Sequence, residues 1–109
     1  MMFPESTLRV FVYGPAVDMR KSFDGLRALV KHALGQDPLS GHVFVFVNRR
    51  GDFIKALYWD RSGFCLWAKR LQQGRFARRE GELNWTDWRL WLDGIELDSV
   101  LRKRRFSLA

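Results

Sequence analysis

Cysteine, histidine and proline are scarce in this chain: one, two and three respectively in 109 residues. With Cys65 alone there is no internal disulfide, so packing must hold the fold together, and a cytoplasmic setting is the expectation. A zinc-type centre needs three or four clustered Cys, His or carboxylate ligands. His32, His42 and Cys65 show no ligand spacing, so neither a metal nor another cofactor is expected. No apolar run approaches the ~20 residues of a membrane span, and Met1–Ser6 lacks the pattern of a signal peptide. A phosphate-binding glycine loop of the Walker or dinucleotide kind is also missing. Acidic residues are in deficit, with 12 Asp and Glu against 19 Lys and Arg, a net charge of +7. That excess, with a pI near 10.3, favours a polyanionic partner, most often nucleic acid. Four of the positive charges form one run, Arg102-Lys103-Arg104-Arg105, and without them the balance falls from +7 to +3.

What the chain does contain is a hydrophobic fraction of 47%, enough for one globular core. The expected organisation is a single α+β domain over residues 1–101 with a disordered basic tail over 102–109. Leu8–Tyr13 is β-branched and aromatic and predicts a first strand, closed by Gly14-Pro15. Asp18 is placed to cap a helix over Met19–Leu34. Phe23, Leu26, Leu29, Val30, Ala33 and Leu34 make its apolar stripe, and Gly35 stops it. Gly25, inside that helix, suggests a close approach to the sheet.

Three strands follow as an antiparallel meander: His42–Val47, Phe53–Trp59 and Phe64–Leu71. The first is apolar on both faces and is expected to be central and covered on both sides. The two turns, Asn48-Arg49-Arg50-Gly51 and Asp60-Arg61-Ser62-Gly63, share a pattern of Asn or Asp first, Arg second and Gly fourth. That pattern predicts type I turns with glycine left-handed before the returning strand. Whether Trp59 pairs with Phe64 or Cys65 depends on a bulge. Arg75-Phe76 offers a short fourth strand, Ala77–Glu82 a polar mobile loop, and Thr86 a cap for a short helix over Asp87–Asp93. Trp88, Trp91 and Leu92 share a face of that helix, leaving Trp85 as the tryptophan expected to be exposed. Ile95-Glu96-Leu97 packs once more before the tail.

No catalytic constellation emerges. Cys65, between Phe64 and Leu66, lacks an adjacent base and is expected in the core. The acids Asp18, Asp37 and Asp60 have cap or turn roles, and Asp52-Phe53-Ile54-Lys55 only faintly echoes a nuclease's acid and lysine pair. Basic residues are the better candidates. Successive turns of a meander lie at opposite ends of the sheet, so Arg49 and Arg50 share an end with Arg70 and Arg75, and Arg61 sits at the other. Arg49, Arg50, Arg70 and Arg75 are expected to form one patch against a phosphate backbone, with Arg20 and Lys21 as further candidates. Lys55 and Lys69, on neighbouring strands, would repel each other if adjacent.

The segment Val17-Asp18-Met19-Arg20-Lys21-Ser22-Phe23-Asp24-Gly25-Leu26 resembles the opening motif of the small TnpB accessory proteins of Insertion Sequence 66 family transposons. The likeness continues through Asp37–Phe46, Asn48–Asp52, Lys55, Leu57–Asp60, Gly63–Leu66, Lys69–Leu71 and Gly74–Phe76, and returns at Leu92–Ile95. Where such proteins usually follow Gly-Arg-Phe with an aromatic and a proline, this chain has Ala77-Arg78-Arg79. The resemblance implies a non-enzymatic protein required for transposition beside a separate transposase that holds the catalytic acids. It carries no catalytic residue to transfer. Two roles fit: a DNA-binding accessory, and an adaptor that binds the transposase without touching DNA.

Overall fold

The computed structural model describes residues 8–93. The tail at 102–109 and the Ile95–Leu97 segment lie outside them. Five strands and two helices follow in the order β1 (Val10–Val12), α1 (Phe23–His32), β2 (Val43–Val47), β3 (Phe53–Asp60), β4 (Gly63–Arg70), β5 (Gly81–Leu83) and α2 (Trp85–Leu92). The strands form one mixed sheet in the order β4-β3-β2-β1-β5. The expected α+β fold with its three-stranded meander is what forms. The crossover through α1 makes β1 parallel to β2.

Strand alternation divides the apolar side chains between two faces. Val43 and Val45 of β2 face α2, in one cluster with Val10, Val12, Ile54, Ala56, Phe76, Trp88 and Trp91. Phe44 and Phe46 point the other way, toward Leu26 and Val30 of α1, with Val17 and Leu57. β2 is thus central and covered on both sides, as its unbroken apolar run requires. Trp88 is fully buried, and truncating it to Ala removes one of the two buried tryptophans of its face, at a cost of about 3–5 kcal/mol. No helix among the described residues is long and apolar enough to cross a membrane.

Several expectations are corrected. α1 begins at Phe23 behind Ser22, and Asp18 instead closes the preceding turn: its Oδ1 accepts from Arg20 N (2.9 Å) and its carbonyl from Lys21 N (3.1 Å). Leu26 and Val30 are buried, but Phe23 and Ala33 are exposed, so the apolar stripe is narrower than its spacing implied. At Gly25 an added Cβ would lie 3.3 Å from the Lys21 side chain, so the neighbour is the chain before the helix and not the sheet. α1 ends at His32 with Ala33 as its C-cap, two residues short of the expected Leu34, and Gly35, at φ +62, turns the chain beyond that end as Gln36 N donates to the Val30 carbonyl.

Trp59 pairs with Phe64 and Asp60 with Gly63, which leaves a two-residue turn and no bulge. There Arg61 is the left-handed residue, at φ 50, and Gly63 is not, contrary to the shared turn pattern. Arg75-Phe76 forms no strand. The extra strand comes from the end of the expected loop, where Gly81–Leu83 pairs antiparallel with β1. Asn84, not Thr86, caps α2, its Oδ1 accepting from Asp87 N at 2.8 Å. Trp85 is half-buried against the α2-side cluster, and Cys65 is only partly buried on edge strand β4. Lys55 and Lys69 project from opposite faces. Lys55 Nζ donates to the Lys21 carbonyl (2.9 Å) and Lys69 Nζ to the Leu92 carbonyl (2.6 Å) at the end of α2.

Candidate nucleic-acid interface

The first hairpin turn is built around one side chain. Asn48 Oδ1 accepts from the backbone N–H groups of Asp52 and Phe53, each at 3.1 Å, and its Nδ2 donates to Asp52 Oδ1 at 2.8 Å. Gly51, at φ +76, completes the turn, and its N–H donates to the Asn48 carbonyl. The amide bond from Asn48, followed by the charge of Arg50, holds the Asp52 carboxyl below the usual carboxylate range. Arg49 and Arg50 are thereby presented outward on a rigid tip.

Two neighbouring segments are bonded to this tip. The Phe76 N–H donates to the Gly51 carbonyl (2.7 Å), and Leu71 N–H to that of Asp52 (2.7 Å). Further on, Trp91 Nε1 of α2 donates to the Ala77 carbonyl at 2.6 Å. Residues 75–79 therefore run as a strap fastened to the tip at one point and to α2 at another. On the other flank Val17 N–H donates to the Val47 carbonyl (2.9 Å), which brings residues 14–18 alongside the tip.

Arg49 and Arg50 line two hollows. One, of about 350 Å³, lies between the tip, Gly14, Ala16 and the strap, and takes in Arg75, Arg78 and Arg79 above Phe76 and Trp91. The other, of about 400 Å³, opens toward Val17, Asp18, Phe53 and Arg70. Arg50 and Arg70 also border a third with Asp52 and Gln72. Arg70 lies with its guanidinium 4.5 Å from the centroid of the ring of Phe53, its cross-strand partner on β3. Arg50 Nε is 3.9 Å from Asp52 Oδ2, too long for a hydrogen bond and a weak constraint at an exposed site.

The four arginines expected to share an end of the sheet thus border linked hollows, while neither Arg20 nor Lys21 lines any of the three. Arg20 is instead paired with Asp18, itself a lining residue of the second hollow, with its Nη2 2.6 Å from Asp18 Oδ2. That side-chain bond, with the backbone N–H bond, lowers the Asp18 pKa to about 2. Arg78 and Arg79 were not singled out as site residues, although their position directly after Gly74-Arg75-Phe76 was a usable signal. No group of three His, Cys, Asp or Glu able to hold a metal occurs among the described residues. His42 accepts from Arg9 N–H through Nδ1 (3.1 Å) and stands edge-on to Phe11, both structural contacts.

These features define a small basic domain, a five-stranded mixed sheet with an arginine-rimmed ridge at one end. The chain belongs to the IS66 Orf2-like protein family, which it matches over residues 8–102, in agreement with the resemblance to transposon accessory proteins. It is 37% identical over 108 residues to Uncharacterized protein y4jC of Sinorhizobium fredii, covering 94% of this chain and 92% of that one. It is 41% identical over 70 residues to Uncharacterized protein y4hO of the same organism, covering 64% and 61%. No solved structure matches the chain.

Proposed function

We propose that this transposition accessory protein acts in the cytoplasm as a non-catalytic DNA-binding component, working beside the transposase of its element. Arg49, Arg50, Arg70 and Arg75 contact the phosphate backbone. The observation that carries this reading is the ridge: Arg49 and Arg50 stand between one hollow reaching Arg70 and another reaching Arg75. Guanidinium groups spread over one end of a rigid sheet match a line of phosphates, and such contacts give affinity without sequence preference. Binding of the purified protein to duplex DNA across a salt series tests it. Affinity should fall steeply as salt rises; no binding at low salt, or binding indifferent to salt, overturns it.

A second reading, an adaptor for the transposase, is favoured by Phe23 and Leu39, large apolar side chains that stand exposed on and after α1. It predicts that transposase co-purifies after nuclease treatment and at high salt, and that Phe23→Ser with Leu39→Ser abolishes the association.

A further inference from the structure

We propose that the hollow between the hairpin tip and the 75–79 strap is a phosphate site for an unpaired DNA strand, with Arg79 as its inner contact. The proposal rests on the DNA-binding reading above and deepens it by naming the form of DNA that this hollow takes. Three observations carry it.

The first is uncompensated charge. Arg49, Arg50, Arg75, Arg78 and Arg79 line the hollow, and no Asp or Glu is among its lining residues. Among the described residues only Arg50 of these five has an ion pair, the long one to Asp52. Glu80 is nearby, its carboxyl group against Gly14, but it makes no ion pair there. Gathered guanidinium groups repel one another, and an anion between them removes that repulsion. The second observation is Arg79 Nε, which is buried and has no hydrogen-bond partner among the described residues. Buried donors are almost always satisfied, and because Arg79 lines the hollow, a small shift of its side chain toward a phosphate oxygen there supplies the missing acceptor in a charge-assisted bond.

The third observation is shape. At about 350 Å³ the hollow is near the lower end of the size range of small-ligand sites. It admits a phosphate with part of its nucleotide, and a double helix cannot enter it. A duplex laid across the ridge reaches the exposed Arg49, Arg50 and Arg75 but leaves Arg79 Nε untouched. A flexible single strand can turn one phosphate inward. The strap that forms the inner wall is already bonded to Gly51 and Trp91, so little ordering cost falls on binding.

Fluorescence anisotropy with a labelled single strand and with the duplex of the same sequence, at one salt concentration, tests the proposal. The readout is the ratio of the two affinities, which does not depend on the fraction of a variant that is folded. Arg79→Gln should weaken single-strand binding about tenfold and duplex binding less than about twofold. Arg79→Lys should recover only part of the loss, since an ammonium is a point charge without the planar fork. Inorganic phosphate at matched ionic strength should displace the strand only weakly. An unchanged ratio in both variants overturns the proposal, as does phosphate binding as tightly as the strand, which would make this a site for the free ion. Wild-type protein that binds duplex but not single strand overturns this inference alone. Protein that binds neither overturns the DNA-binding reading with it.

Discussion

Two hairpin tips of nearly matching sequence pattern have become different structures. At the first, Asn48 ties its own amide to Asp52 and Phe53, Gly51 takes the left-handed conformation, and the strap and residues 14–18 close in around two arginines. At the second, the strands continue to Asp60 and Gly63, so only Arg61 and Ser62 remain to turn the chain, and Arg61 takes the left-handed strain itself. The tips differ because strand register decides which residue of the four must turn. A turn in which glycine bears the positive φ spares its arginines that strain. Where register forces that conformation on an arginine, the backbone strain falls on Arg61 itself, while its side chain stays exposed.

The largest expected difference between the tips is in DNA affinity. Charge reversal at both Arg49 and Arg50 should lower affinity at least about tenfold, and flatten the log–log salt slope by about 2, the value for two lost phosphate contacts. Arg61→Glu, at the far end, should change affinity less than about threefold, since only long-range attraction is lost. Equal losses at both ends would erase the distinction between the tips.

Stability should separate them next. Asn48→Ala leaves two backbone donors at a partly buried turn without their acceptor and should cost about 2 kcal/mol in chemical denaturation. Asp60→Ala should stay within about 0.5 kcal/mol, as for most exposed substitutions. The glycines sharpen the same point. Gly51→Ala forces a side chain into φ +76 and should cost about 1–2 kcal/mol, whereas Gly63 has ordinary φ and open space around it, so Gly63→Ala should be nearly neutral. Smaller still, Arg61→Asn should stabilise by about 0.5 kcal/mol, because Asn tolerates the left-handed region better.

The last effect concerns pH and Asp18, which holds Arg20 in an ion pair at the border of the second hollow. Asp18 has its pKa lowered from 3.8 to about 2, first by the Arg20 side-chain bond and then by the Arg20 backbone N–H. A carboxylate with a depressed folded-state pKa adds stability above its unfolded value and loses it as pH falls, here between about 4 and about 2. Carboxyl carbon NMR titration should therefore place the Asp18 midpoint near 2. A midpoint near the ordinary value would mean that Arg20 is unpaired.

Much of this arrangement is legible in order along the chain. The alternating Val43–Val47 run announces a central strand covered on both faces, since each neighbouring pair of residues must be buried on opposite sides. Gly35 marks the turn just beyond α1, and counting turns along a meander puts Arg49, Arg50, Arg70 and Arg75 toward one end, where they border neighbouring hollows. The start of α1 was harder to read. Asp18 and Ser22 are both acceptable caps, and only the bonds of Arg20 to Asp18 commit that residue to a separate turn. Thr86 and Asn84 compete in the same way two residues apart.

Local chemistry by itself determined the elements whose pattern is repeated over several residues: the helical stripe, the meander, the glycine stops, and the excess of positive charge. The tertiary structure decided what depends on partners distant in the chain. Gly81–Leu83 has weak strand character and becomes β5 because the free edge of β1 needs hydrogen-bond partners. Lys55 and Lys69 are kept apart by the pleat, each finding a helix-end or loop carbonyl on its own face. Arg78 and Arg79 join the ridge because Gly51 and Trp91 hold the strap in place from two separate parts of the chain. Spacing along a chain encodes which face a side chain takes; which remote backbone group will satisfy it is settled only when the sheet has closed around it.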